Sequence, residues 1–151
     1  MREARLKINR ILVPINGEAD DAETVEFACF VAKRHRAKVY VVYVIEVKRT
    51  MPLDAEMESE IGKGEALLET AMQVAERCGY DIETELLQAR EASVALVDEA
   101  VERGVDAIVM GIPYRKRYGE FNMGDIVPYL LKNAPCRVWI LRDPMEAKAS
   151  A

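Results

Sequence analysis

The sequence has a single histidine and a single tryptophan, and no CxxC pair among its three cysteines, Cys29, Cys78 and Cys136. A zinc knuckle or a thioredoxin-type redox site needs closely spaced cysteines, so both are excluded. The three thiols read as small apolar residues in a reducing compartment. His35 lies in Lys33-Arg-His-Arg36, at the end of an expected helix. A cation there suits the helix dipole. Without a second histidine or a G-x-S-x-G elbow, a serine triad lacks its parts, and no catalytic residue is expected. No set of metal ligands stands out either. Long apolar runs are missing too. The stretch Val39 to Ile45 is far short of the ~20 residues that span a bilayer. Met1 to Arg10 is charged and lacks the apolar centre of a signal peptide. Basic charge is in deficit, with a net charge of −5, where a nucleic-acid binder carries an excess. The expectation is a cytoplasmic protein that engages neither membrane nor nucleic acid.

What is present is a regular alternation of strand and helix. At about 150 residues per domain, 151 residues make one domain. Its 50% hydrophobic and 31% charged residues suit a packed core. Arg10 to Ile15 is a short apolar strand closed by an Asn16-Gly17 turn. Asp20 and Glu23 have capping-box spacing for a first helix with an Ala22, Val25, Cys29, Ala32 stripe. Lys38 to Ile45 is β-branched and aromatic almost throughout, as a strand buried on both faces should be. Pro52, Gly62 and Gly64 interrupt the next stretch, so the second helix is expected from about Glu65, with a Leu67, Ala71, Val74, Cys78 stripe. A third strand covers Asp81 to Leu87. Ser93 is placed to cap a third helix with a Val94, Val97, Val101 stripe, ended by Gly104. Ala107 to Met110 is a buried strand. A loop then runs to about Met123, a short helix covers Asp125 to Asn133, and Cys136 to Leu141 is the last strand. Five strands separated by four helices imply a parallel sheet covered on both faces. Its ligand crevice lies beyond the carboxyl ends of the strands, where strand order reverses. The loops after Ile15 and Met110 should line it.

Between Met110 and Ile126, Gly119 and Gly124 have Walker-type spacing, but Asp125-Ile126 stand where Lys and Ser/Thr are needed. A different pattern fits. A strand is followed by Gly111, two residues, position 114, nine residues, and Gly124 opening a helix. This layout resembles the universal stress proteins, which carry Gly-x2-Gly, nine residues and Gly-Ser/Thr there. Tyr129 to Arg142, with its Ala-Pro-Cys turn, is similar to the family's closing helix and strand. Ile11 to Gly17 and Val42 to Glu46 resemble its first two strands. The resemblance spans about Asn9 to Arg142. It implies an α/β, Rossmann-like, doubly wound sheet of five parallel strands in the order 3-2-1-4-5, helices on both faces, with residues 143–151 a frayed tail.

It also implies an adenine-nucleotide crevice. By position, Ile15, Asn16, Val44 and Met110 would sit near the base. Gly111, Pro113, Gly124, Asp125, Ile126 and Val127 would lie near ribose and phosphates, where glycine and a helix N-terminus admit an anion. The chain departs from the family pattern at three places. Tyr114 replaces the second glycine, Asp125 the hydroxyl residue, and Asn16 the usual Asp. Asp125 is a good helix cap and a poor phosphate neighbour. At ~4 Å and an effective dielectric near 20, like charges repel by about 4 kcal/mol. Arg115, Lys116 and Arg117 push the other way and could pair with phosphates or with Asp125. No cofactor is fixed, and ATP or AMP with magnesium is what the resemblance allows. A dimeric stress-response module with an altered crevice, a genuine ATP or AMP sensor, and a ligand-free interaction module all stay open. The final strand is expected to pair with its copy in a second chain, through Val138, Trp139, Ile140 and Leu141.

Overall fold

Strand β1 (Arg10–Ile15) is buried on both sides from its second residue on, because it is the middle strand of the sheet. The computed structural model describes residues 6–145. The expected fraying of the last residues therefore concerns positions mostly outside that range, as does the start of the charged N-terminal stretch. After β1 come α1 (Asp21–His35), β2 (Lys38–Glu46), α2 (Glu58–Arg77), β3 (Glu83–Ala89), α3 (Ala92–Arg103) and β4 (Ala107–Ile112). A two-stranded hairpin, β5 (Lys116–Arg117) and β6 (Glu120–Phe121), precedes α4 (Ile126–Asn133) and β7 (Arg137–Arg142). The main sheet runs β3-β2-β1-β4-β7, and each neighbouring pair is parallel. This is the expected order, the last strand counting seventh because the hairpin intervenes.

Two apolar layers sandwich the sheet. Val25, Ala28 and Cys29 of α1 and Leu68, Ala71 and Val74 of α2 cover one face, over Ile11, Val13 and Val41. Leu96 and Ala100 of α3 and Leu130 of α4 cover the other, over Leu12, Val42 and Ile108. Each fully buried Leu, Ile or Val contributes about 1.5–3 kcal/mol, so the two layers fix which strand ends converge. The Asp106 carboxylate ties β1 to the start of β4, accepting from the N–H of Asn9 at 2.6 Å and of Arg10 at 3.0 Å. Burial pushes the Cys29 thiol up to about 11, which keeps it an unreactive thiol. Cys78 and Cys136 are only half-buried. No described helix is long and apolar enough to cross a membrane.

Several local expectations are corrected. Helix α2 begins at Glu58, so Gly62 and Gly64 lie inside it. A Cβ at Gly64 would stand 2.6 Å from Leu86 Cδ1 and 2.8 Å from Tyr43 Cδ2. The glycine is a contact surface against the sheet, not a breaker. The third helix is not capped by Ser93. Glu46, from the end of β2, accepts the N–H of Ala92 at 2.8 Å instead. The buried stripe of α3 is Ala92, Leu96 and Ala100, while Val94 and Val101 are exposed. In α1, Asp20 occupies the N-cap position without a side-chain cap bond. The loop after β4 carries the unforeseen hairpin. Its turn, Tyr118-Gly119, has both φ angles positive, at 54° and 80°, the geometry that matches strand twist.

At the sheet edge, β7 is half-buried in its interior. Trp139 meets Phe27 of α1 edge-to-face at 5.9 Å. Its own chain therefore shelters part of the ring that the sequence assigned to a partner.

Candidate ligand crevice

The chain reverses strand order between β1 and β4, and a crevice of about 300 Å³ opens at the carboxyl ends of β1, β2 and β4. Its floor is apolar because the strands beneath it are buried on both faces. Ile15, Asn16, Val44, Met110 and Ile126, five of the positions singled out in the sequence, line it together. Val44 and Ile126 are half-buried and offer apolar contact at the mouth. Sequence reasoning did not assign Glu46, Glu60, Ala92 and Leu96 to the wall, nor the strand residues Pro14, Val42, Tyr43 and Ile45, which complete it. Glu46 was in view as the end of the second strand, and the carboxyl-end rule could have recruited it. Glu60 was hidden by the misplaced start of α2.

The remaining expected residues go elsewhere. Val127 is buried on the core-facing side of α4. Gly111 faces α1, where a Cβ would lie 2.1 Å from Thr24 Oγ1 and 2.8 Å from Asp20 Oδ2. Its missing side chain is thus required by helix packing, whatever else it admits. Tyr114 is stacked on Phe121, with centroids 5.1 Å apart and planes 7° apart. The Arg142 guanidinium lies over both rings, 4.8 Å and 5.6 Å from their centroids. Arg115 pairs with Glu18 at 2.6 Å, not with Asp125 as the sequence allowed. Pro113, Gly124 and Asp125 lie outside the lining, and Arg117 contributes its backbone to the hairpin.

The turn after β1 is held by its own polar groups. Asp21 accepts the N–H of Gly17 at 2.8 Å and of Asn16 at 3.3 Å. The Asn16 Oδ1 in turn accepts the N–H of Glu18 at 3.1 Å. Burial pushes the Asp21 carboxyl up to about 6, against those two N–H bonds, which pull it down. Beside it, Asp20 is 6% exposed, and its Oδ2 has no hydrogen-bond partner among the described residues. Burial first, and the Asp143 charge second, raise its pKa. That inward turn is why the capping box fails. The cap carboxylate points at β4 rather than at its own helix, and the Thr24 hydroxyl donates to the Asp20 carbonyl at 2.9 Å.

Comparison with known proteins agrees with this fold. The universal stress protein family model matches residues 7–142. A universal stress protein of Methanocaldococcus jannaschii is 30% identical over 141 residues, covering 89% of this chain and 82% of its own. The structure of a universal stress protein from Archaeoglobus fulgidus superposes with a TM-score of 0.74 at 26% identity, over 87% of this chain and 97% of the other. A structure of the Archaeoglobus fulgidus protein in complex with dAMP has a TM-score of 0.71 at 23% identity, over 90% and 98% of the two chains. A universal stress protein in complex with cAMP reaches 0.72 at 19% identity, over 89% and 97%. At those last two identities the likeness is one of fold.

Proposed function

Because the chain belongs to the universal stress protein family, we propose that it is a regulatory module whose crevice holds the adenosine part of an adenine nucleoside or nucleotide. The observation that carries this is the convergence of Ile15, Asn16, Val44, Met110 and Ile126 on one apolar-floored crevice at the strand-order reversal. Complexes of structural relatives with dAMP and cAMP support it. In this reading the ligand is sensed, not turned over. The described lining holds no histidine, cysteine or lysine, and of its two carboxylates Glu46 is engaged with the Ala92 N–H.

The phosphate end is altered. Tyr114 and Arg115 are committed to the hairpin and to Glu18, and Asp125 stands exposed at the start of α4. ATP with magnesium therefore stabilises the protein little. A ligand at ten times its Kd would add about 1.4 kcal/mol, or a few degrees in Tm. The direct test is to heat-denature purified protein and read the supernatant by adenine absorbance and mass. A released adenine compound supports the reading. No release, together with no thermal shift from any adenine nucleoside or nucleotide, refutes it.

The module acts as a homodimer through β7. The strand stands at the sheet edge, and an unblunted edge presents free N–H and C=O groups. Phe30 on α1, 63% exposed, lies one helical turn beyond the Phe27 that meets Trp139. Sedimentation at micromolar concentration decides this, and a monomer mass overturns it.

A further inference from the structure

We infer that the crevice selects an adenine nucleoside whose 5′ arm carries no phosphate. This rests on the reading of the crevice given above and concerns which member of the ligand class it takes. The only acidic or basic residues in the described lining are two carboxylates, Glu46 at the end of β2 and Glu60 in the first turn of α2. Both are exposed to the crevice mouth. A helix N-terminus ordinarily welcomes an anion. At α3, however, the Ala92 N–H is already bonded to Glu46 Oε2 at 2.8 Å, so the protein's own carboxylate holds that place.

No lysine or arginine belongs to the described lining. Arg115 is paired with Glu18. Arg142 lies on the Tyr114 and Phe121 rings. The Lys63 stem passes the Gly17 turn but is not part of the lining. A phosphate entering this crevice meets like charge. A nucleoside does not, and carboxylates accept readily from ribose hydroxyls, the role an acidic residue plays at a dinucleotide ribose. The same two residues thus attract the sugar and repel the phosphate.

The test is calorimetric titration of the purified chain with adenosine, AMP and metal-free ATP, at low and at high salt. Adenosine should bind about tenfold or more tightly than AMP, a gap of ~1.4 kcal/mol, with ATP weaker still. High salt should narrow the gap, because the repulsion is screened. Glu60 is exposed, so Glu60→Gln and Glu60→Lys keep the fold. Glu60→Gln should shrink the adenosine-to-AMP ratio, and Glu60→Lys should invert it. Wild-type protein that prefers AMP or ATP overturns this inference while leaving the adenine reading intact. A ratio unmoved by both variants also overturns it. Failure of all three ligands to bind removes the adenine reading as well.

Discussion

The two turns that meet at the strand-order reversal solve one problem in opposite ways. The turn after β1 is short, and Asp21 gathers its amides from within. The loop after β4 is long and folds on itself as a hairpin, clasped from outside by Arg142 of the last strand. The first depends on the half-buried carboxylate of Asp21, the second on ring stacking near the surface. The contrast teaches that residues matching a ligand-binding spacing can be consumed by the loop's own architecture. Gly111 and Tyr114 occupy motif positions, yet one serves the packing of α1 and the other anchors a hairpin.

The sharpest way to break the contrast is Gly111→Val. Its Cβ would fall 2.1 Å from Thr24 Oγ1, and a buried hydroxyl in the first turns of α1 cannot move without shifting the helix. The loss should be about 3 kcal/mol, at the upper end for overpacking. Urea unfolding measures it, and Thr24→Ala in the same chain should recover part. A stability change below about 0.5 kcal/mol would mean that α1 is not packed against Gly111 as described.

Next in size is a pH effect at Asp21. Its folded pKa, about 6, lies above its ordinary 3.8, so the folded state binds that proton more tightly. The associated stability is fully present below about pH 3.8 and is lost as pH rises through about 6. Asp21 is half-buried, so after solvent screening the span is worth roughly 2 kcal/mol. The difference in unfolding free energy between wild type and Asp21→Asn should therefore slope between those pH values and be flat above. No slope in the difference would place Asp21 in water. The smallest effect belongs to the hairpin. Tyr114→Ala removes a stacked pair and a cation–π contact, together about 1–2 kcal/mol. Because these bonds are peripheral, proteolysis near Tyr118 should accelerate while the global Tm changes little. An equal loss in both would show that the loop is part of the core.

The framework of the fold was legible because it is written locally. Buried runs such as Lys38 to Ile45 and glycine stops such as Gly79 and Gly104, with φ of 73° and 62°, need no distant partner to be read. What escaped was nonlocal. Ser93 satisfies a local cap rule, but the cap of α3 comes from Glu46 on another strand. Gly64 looks like a breaker until Leu86 and Tyr43 are seen against it. The hairpin was missed because its strands are only two residues long and its turn is Tyr-Gly rather than Asn-Gly. In the crevice, the apolar floor followed from strand ends. The acidic wall did not, since Glu46 and Glu60 are 14 positions apart in sequence and meet only through the path of α2.

The glycines of α2 have a further consequence, in the order in which the molecule opens. Gly62 and Gly64 each weaken a helix by about 0.5–1 kcal/mol relative to alanine, and Gly62 has nothing within 4 Å to compensate. The turns that carry Glu60 are held to the sheet by the Gly64 contact and by the half-buried Met57 and Ile61, while the later turns carry the fully packed Leu68, Ala71 and Val74. Brief excursions from the native state will release these first turns before the rest of the helix. The first turns of α2, which form one wall of the crevice, are thus the part of that wall that opens most readily.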